Sequence, residues 1–170
     1  MMHARVAIRP ATREDLPAIL RLFADDDTHR VGVPDALRSA ATVPSAAHLA
    51  ALDAIQADPN NQVYVAEVDG AVVGTFQLTF IRQLSYGGCL VAQVESVFVR
   101  ASERSHGVGR AMLEHARREA ERRGALRMQL TSNVAREAAH RFYERLGFRA
   151  THTGMKLYLE PPPRERTTER

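Results

Sequence analysis

The residues best suited to chemistry form a turn in the second half of the chain, Arg104-Ser105-His106-Gly107-Val108-Gly109. It stands between a β-rich run and a run with helical periodicity. Glycines let the backbone approach a ligand closely, and the free N–H groups of a helix start attract anions. The spacing favours a pyrophosphate site, with Arg104 or Arg110 adding charge, but it is also typical of a simple tight turn. It is not a P-loop, because no Gly-Lys-Ser/Thr follows.

Two titratable side chains stand on either side of this turn in the sequence. Period-2 alternation puts Glu95 on the same strand face as Gln93 and Val97. Between Val94 and Val97 its carboxylate is expected to be partly desolvated, with a raised pKa suited to a general base. A structural glutamate paired with an arginine is the alternative. Tyr143 lies on a later amphipathic run, where a core tyrosine is the simplest interpretation of the residue alone.

The elements that must position these residues follow from periodicity and turn signals. Thr12 with Asp15, and later Ser45, are typical helix caps, and Asp69-Gly70 between two β-rich runs predicts a hairpin. The resulting order is β-α-α-β-β-β-α-β-α-β, which predicts an α/β (α+β) fold with a mixed sheet and helices on its faces. The main segments are strands at 6–8, 63–68, 72–80, 91–99, 126–131 and 155–159, and helices after Thr12 and Ser45, at 107–123 and at 135–146.

Composition restricts the class of protein. The 170 residues suffice for one domain, predicted to span 1–160, with a flexible basic tail at 161–170 after three prolines. The net charge is +3, and the basic residues are interspersed with acidic ones, which argues against nucleic acid as a partner. No apolar run or signal segment is evident, so we expect no membrane partner and a cytoplasmic location. The seven histidines lack ligand spacing, so no metal is expected.

Two motifs carry a resemblance to a known family. The first is the strand Val94-Glu95-Ser96-Val97-Phe98-Val99 followed by the turn and Arg110-Ala111-Met112-Leu113. The second is Asn133 followed by Ala139-His140-Arg141-Phe142-Tyr143-Glu144-Arg145-Leu146-Gly147-Phe148. Together and in this order they resemble the two signatures of GNAT acetyltransferases. The resemblance implies a mixed, mostly antiparallel sheet of six to seven strands flanked by about four helices.

The resemblance also implies roles for individual residues. Acetyl-CoA would be the co-substrate, with pantetheine along one strand, the pyrophosphate on the turn, and Asn133 hydrogen-bonded to the cofactor or capping a helix. Glu95 would be the general base and Tyr143 the general acid for the thiolate. The expected cofactor-binding residues are Val97, Phe98, Val99, Arg104, Ser105, His106, Gly107, Val108, Gly109, Arg110 and Asn133.

The function implied by the resemblance is N-acetyl transfer from acetyl-CoA to a primary amine by direct attack in a ternary complex. The acceptor would be a small molecule or a peptide amine, and a homodimer is possible. The alternative is a non-catalytic acyl-CoA-binding sensor or subunit of the same fold. The segment from Asp25 to residue 44 is too irregular to identify the acceptor, although Gln77 and Thr79 are candidates for lining its pocket.

Overall fold

The computed structural model describes residues 6–25, 32–33 and 42–159, and within them the architecture is a five-stranded sheet with helices on both faces. The strands lie in chain order: the first four pair antiparallel, and the last pairs parallel with its neighbour. This is the predicted mixed, mostly antiparallel sheet. The strands are β1 (Ala7–Pro10), β2 (Asn61–Val68), β3 (Ala71–Arg82), β4 (Leu90–Val99) and β5 (Arg127–Leu130).

The helices begin and end close to the predicted capping residues. Ser45 accepts a hydrogen bond from the N–H of His48 at the start of the second helix. Gly124, with φ of 69°, follows the end of the fourth. The helices are α1 (Leu16–Ala24), α2 (Ala46–Ala57), α3 (Ser85–Gly88), α4 (Val108–Arg122) and α5 (Glu137–Arg145). None of the described helices is long and apolar enough to span a bilayer.

The two faces of the sheet are covered differently. Alternate residues of β2, β3 and β4 pack with α4 and α5 in the larger apolar cluster, which includes Phe76, Leu78, Val94 and Met112. A smaller cluster on the opposite face packs Ile19 of α1 on β2. Beyond α1 and α2, that opposite face carries polar side chains on β3, β4 and β5. This uneven covering leaves one surface of the central strands available for chemistry.

The strand count predicted from the resemblance is wrong for the described residues, which contain five strands instead of six to seven. The predicted strand at 155–159 has no ladder partner among the residues that the structure describes, and its side chains are exposed. Periodicity indicates which residues suit a strand, but a strand also needs a neighbour for its backbone groups. The single turn α3 lies where Gly87-Gly88 predicted a loop, and its backbone is not regular helix, because Tyr86 and Gly87 have left-handed φ angles of 52° and 76°. The tail 161–170 lies outside the described residues.

An ion-pair network holds β1 against the start of α1. Arg9 donates two hydrogen bonds to Asp15, at 2.7 and 2.9 Å, and also bonds Glu67 of β2. The backbone N–H of Thr12 donates to the same Asp15 carboxylate at 2.7 Å. Asp15 is buried, and its hydrogen bonds from Arg9, with a smaller contribution from Thr12, lower its pKa below the ordinary value. The ionised carboxylate therefore joins the start of α1 to β1, and Arg9 extends the network to β2.

We expect Asp15→Asn to lower the free energy of unfolding by about 1–3 kcal/mol at pH 7, the range for lost hydrogen bonds to a charged group. Because the pKa of Asp15 is lowered, its stabilisation is complete above about pH 4 and disappears as pH falls through the folded-state pKa. Urea unfolding from pH 7 to pH 2.5 should show the difference from wild type shrinking. The control is Asp53→Asn, which breaks an exposed pair with Arg13 and should change stability by less than about 1 kcal/mol. A difference that stays constant with pH would contradict this role.

Candidate active site

A bulge in β4 determines which side chains reach the exposed face of the sheet. Thr75 of β3 pairs with Phe98 and Gln77 with Glu95, so one β3 residue faces two on β4. Ser96, with a left-handed φ of 51°, is at the bulge. Such a bulge interrupts the alternation of side chains. The prediction that Val97 shares a face with Glu95 is therefore wrong: Val97 packs against the larger apolar cluster, whereas Glu95 is exposed on the opposite face.

Strands β4 and β5 separate beyond the bulge. Their last paired residues are Val94 and Leu130, whereas β4 continues through five further residues to Val99. In the described residues no strand pairs with this part of β4 on the β5 side. Val97 and Val99 are half-buried, and Phe98 is buried against the ring of Phe23 at 4.9 Å. An unpaired strand edge can bind an extended ligand through backbone hydrogen bonds, as pantetheine would require.

The predicted turn after β4 connects the strand to α4 through two left-handed residues. Ser105 has φ of 66° and Gly107, the residue that caps α4, has φ of 89°. No side chain of the described residues caps this helix, so its first N–H groups are oriented toward solvent with the positive end of the helix dipole. Ser105 and His106 are exposed, and Val108 is buried, so Val108 would contact a ligand only through its backbone.

The two arginines of the turn have partners inside the protein. Arg104 donates a hydrogen bond from Nε to the carbonyl oxygen of Val99 at 3.1 Å, which ties the turn to the end of β4. Arg110 forms an exposed ion pair with Glu114 at 3.5 Å, one helical turn away. Exposed pairs of this kind are weak, so Arg110 can exchange Glu114 for an anionic ligand at little cost.

Gly109 connects the two signature motifs. A Cβ at this position would lie 3.1 Å from Cζ of Phe142, closer than ordinary contact. The glycine therefore allows the first turn of α4 to pack against the ring of Phe142 on α5. Phe142 is in turn 5.3 Å, centroid to centroid, from Tyr143. Direct packing through Phe142 therefore connects the turn before α4 to Tyr143, the candidate acid.

Tyr143 is buried on α5, where its ring lies between Phe142 and Phe148, at 5.3 and 5.8 Å. Burial raises the pKa of its phenol above the ordinary value of about 10, with a smaller opposing effect from Arg136. Within the described part of the chain the hydroxyl has no hydrogen-bond partner. The side chain is thus protonated at neutral pH and able to donate to an incoming group.

Glu95 lies in a different environment from the one predicted. The expected partial desolvation is wrong, because the residue is exposed: strand alternation directs Glu95 away from Val94, and the bulge at Ser96 places Val97 on the face opposite to Glu95. It accepts a hydrogen bond from Nε2 of Gln93 at 2.8 Å, and no described arginine forms an ion pair with it. The alternative of a structural glutamate held by an arginine therefore has no support among these residues.

Asn133 lies just before α5. Its side-chain oxygen accepts a hydrogen bond from the N–H of Ala135 at 3.0 Å, and its backbone oxygen accepts one from the N–H of Arg136. The residue that caps α5 is Arg136, so the predicted helix start at 135 comes two residues too early. Asn133 organises the turn that leads into the helix, a local role that does not prevent contact with a cofactor.

One open cleft of about 2150 Å³ brings most of these residues together. Its walls include Glu95 and Tyr143, with Val97, Phe98, Arg110 and Asn133 from the predicted cofactor-binding residues. Val99 and the turn from Arg104 to Gly109 lie outside the cleft wall. The described residues contain no group of three or more metal-ligating side chains. The two candidate proton-transfer groups therefore line one cleft, and the turn predicted to bind the pyrophosphate lies outside its wall.

Sequence reasoning missed a chain of hydrogen bonds along the cleft floor. Arg127 donates from Nε to Gln129 at 3.0 Å, and Gln129 donates to Gln93 at 2.8 Å, which donates to Glu95. The signal was present as polar residues at every second position of β4 and β5, but the pairing of Gln93 with Gln129 depends on strand register. Gln77 and Thr79, the suggested pocket residues, both donate hydrogen bonds to Asn61, and Gln77 also lines a small apolar cavity beside Ser96.

The fold and site together define an α/β protein with a ligand cleft between two separating parallel strands. The model of the acetyltransferase (GNAT) family matches residues 17–148, which is more than half of the chain, and the chain belongs to this family.

Three similar proteins illustrate the relationship. The aminoalkylphosphonate N-acetyltransferase of Salmonella typhimurium is 32% identical over 56% of this chain and 61% of its own length. The glucosamine 6-phosphate N-acetyltransferase of Trypanosoma brucei brucei is 32% identical over 58% of this chain and 65% of its own length. The chain thus spans less than two thirds of these two relatives. A solved structure described as a transcriptional regulator from Bacillus halodurans C-125 is 34% identical, with a TM-score of 0.81 over 91% of this chain and 100% of that one.

Proposed function

We propose that this protein transfers an acetyl group from acetyl-CoA to the primary amine of a small molecule, by direct attack in a ternary complex. The observation that carries the proposal is that Glu95 and Tyr143 both line the cleft that contains the unpaired edge of β4. A base for the amine and an acid for the thiolate are the two proton-transfer groups that aminolysis of a thioester requires. The cytoplasmic location and the possible homodimer stay predictions.

The donor side of the site is formed by backbone. The edge of β4 from Val97 to Val99 would pair with the amide groups of pantetheine, and the first N–H groups of α4 would bind the pyrophosphate. The left-handed Gly107 exposes those N–H groups, and no described side chain competes for them. These contacts use backbone atoms, which explains how the buried Val108 can belong to a binding site.

The acceptor side supplies proton transfer. Glu95 would take a proton from the acceptor ammonium, directly or through water, so that the free amine attacks the thioester carbonyl. A backbone N–H near Val97 would stabilise the negative charge that develops on that carbonyl oxygen. Tyr143 would donate its phenolic proton to the sulfur as the carbon–sulfur bond breaks. As the amide forms, the attacking nitrogen loses its second proton, which restores the phenol of Tyr143 through solvent, and Glu95 returns its proton to solvent. The net products are an N-acetyl amine, a free thiol and one proton.

A second candidate function is regulatory binding of acyl-CoA without catalysis. The observation in its favour is the likeness to a structure described as a transcriptional regulator. The presence of both Glu95 and Tyr143 in the cleft favours the enzyme, because a binding module has no use for a matched base and acid. The names of the two curated relatives support a small-molecule amine over a peptide amine.

The test of the proposed function is release of free thiol from acetyl-CoA across a panel of primary amines that includes amino sugars, amino acids, aminoalkyl phosphonates and peptides. We expect amine-dependent release with at least one small-molecule class, with the acetylated amine detected by mass spectrometry. Binding of acetyl-CoA without release for any amine would instead support the regulatory function.

We expect Glu95→Gln to lower turnover about 10²-fold, the lower end of the range for a lost general base, because the residue is exposed. The substitution keeps the shape and the hydrogen bond to Gln93 while removing the base. The loss should be largest below the pKa of the acceptor amine, where proton removal is required. Affinity for acetyl-CoA should change less than threefold. The control is Glu14→Gln, at an exposed position just before α1. Equal pH–rate profiles in wild type and Glu95→Gln would exclude Glu95 as the base.

A further inference from the structure

Arg127 lies on the floor of the cleft, at the first position of β5 and opposite Val91 of β4. Strand alternation puts it on the same face as Gln129, and the hydrogen-bond chain from Gln129 through Gln93 reaches Glu95. Arg127 and Glu95 therefore belong to one continuous polar surface. Arg127 pairs with Val91, which is four residues before Glu95. The Cα atoms of Arg127 and Glu95 are therefore about 13 Å apart along the strand direction.

The contacts of Arg127 are with neutral groups. Nε donates to Gln129 at 3.0 Å and Nη2 donates to Gln83 at 3.2 Å, both neutral oxygens, and the guanidinium lies 5.5 Å from the ring centroid of Tyr86. In the described ranges no carboxylate forms an ion pair with it. Four exposed arginines of α4 and α5 do have such pairs: Arg110, Arg117, Arg122 and Arg141 each contact a glutamate.

This arrangement leaves the charge of Arg127 uncompensated inside the cleft. Two of the five N–H groups of the guanidinium are used by neutral acceptors, so three remain for a ligand. The residue is half-buried, which reduces the competition from water. Because two neutral side chains hold the guanidinium in place, little side-chain entropy is lost when it binds an anion.

The cleft floor is thus positive at Arg127 and negative at Glu95. A small amine that carries an anionic group has the complementary pattern, since its ammonium suits Glu95 and its anion suits Arg127. Deepening the amine acetylation proposed above, on which this inference rests, we propose that Arg127 binds an anionic oxygen group, a phosphonate, phosphate or carboxylate, of the acceptor and so selects anionic primary amines. The planar guanidinium can donate two parallel hydrogen bonds to such a group.

If Arg127 had only a structural role, its replacement would have a different effect. Arg127 pairs with the fully buried Val91 across the β4–β5 ladder, and its hydrogen bond to Gln83 joins β5 to the residue that follows β3. If these were its only roles, its removal would lower stability and affect all acceptors equally. Selectivity between an anionic and a neutral acceptor therefore separates the two roles.

The experiment compares 3-aminopropylphosphonate with the uncharged 3-amino-1-propanol in wild type, Arg127→Gln and Arg127→Lys. For wild type we expect a clear preference for the phosphonate. In Arg127→Gln, KM for the phosphonate should rise about 10- to 100-fold, the effect of losing charge-assisted hydrogen bonds, with partial recovery in Arg127→Lys. Values of kcat, and KM for aminopropanol, should stay within about twofold. The control Arg118→Gln, on the exposed surface of α4, removes the same charge away from the cleft and should match wild type.

A binding measurement separates failure of this inference from failure of the proposed function. Calorimetry with 3-aminopropylphosphonate on protein loaded with CoA should detect binding to wild type and at least a tenfold weaker affinity in Arg127→Gln. This result without acetylation of any amine would support the anion site and contradict the proposed enzyme. Acetylation of both amines with equal efficiency, or an unchanged preference in Arg127→Gln, would overturn the anion site and leave the enzyme in place. Absence of both preference and binding in wild type would also overturn it.

Discussion

Tyr143→Phe should lower turnover by about 10- to 10³-fold while the protein stays folded and binds acetyl-CoA within a few-fold of wild type. The ring remains, so its contacts with Phe142 and Phe148 persist. Only the hydroxyl is lost, and with it the proton that we assign to the departing sulfur. Steady-state rates and melting temperatures measured on the same sample decide the outcome.

The competing interpretation is a tyrosine that merely stabilises the core. A buried hydroxyl with a hydrogen-bond partner would cost about 1 kcal/mol on removal, with little effect on rate. Among the described residues the Tyr143 hydroxyl has no such partner, so we expect little change in stability. The matched control is Tyr64→Phe, which removes a half-buried hydroxyl on β2, outside the cleft, where the ring stacks on Phe76. A destabilised Tyr143→Phe protein with wild-type turnover would exclude the residue from catalysis.

The pH dependence adds an independent test of Tyr143. Burial raises the pKa of its phenol, so the group stays protonated up to at least about pH 10. If Tyr143 is the acid, the wild-type rate should fall only above that pH, where the phenol ionises. In Tyr143→Phe this decline should weaken or disappear, because the group that ionises is absent. A decline of the same shape in both proteins would assign it to another group.

Gly107→Glu should abolish stabilisation by acetyl-CoA. A ligand at a hundredfold excess over Kd stabilises the folded state by about 2.7 kcal/mol. For a chain of this size that corresponds to a rise in melting temperature of roughly 5–10 °C. The glutamate would place negative charge at the start of α4, where we expect the pyrophosphate. Differential scanning fluorimetry with and without acetyl-CoA measures the effect.

Two variants control for backbone strain at this position. Gly107 has φ of 89°, so any side chain there strains the backbone, although the space around its Cβ is open. Gly107→Gln introduces the same strain and nearly the same size without the charge, and it should keep part of the shift. Gly124→Glu adds the same side chain to a left-handed glycine at the opposite end of α4 and should keep the full shift. An undiminished shift in Gly107→Glu would exclude the turn as the pyrophosphate site.

The sequence alone determined the parts of this protein that depend on neighbouring residues. The capping box at Thr12 and Asp15, the hairpin at Asp69-Gly70 and the helix ends near Gly107 and Gly124 all occur where local patterns predicted them. The order of strand, turn and helix around Arg104 and the family membership followed from short motifs in the same way. Local backbone preferences and side-chain periodicity act over a few residues, so they can be recognised in a single chain.

The tertiary structure decided the features that depend on strand register and on packing between distant segments. The bulge at Ser96 places Val97 on the face opposite to Glu95, and the pairing of Gln93 with Gln129 joins Glu95 to Arg127. The contact between Gly109 and Phe142 links two motifs over 30 residues apart, and the apolar alternation at 155–159 led to a strand that the structure does not contain. Each depends on which residues oppose one another across strands or helices. That choice is a balance among long-range contacts, which no local pattern encodes.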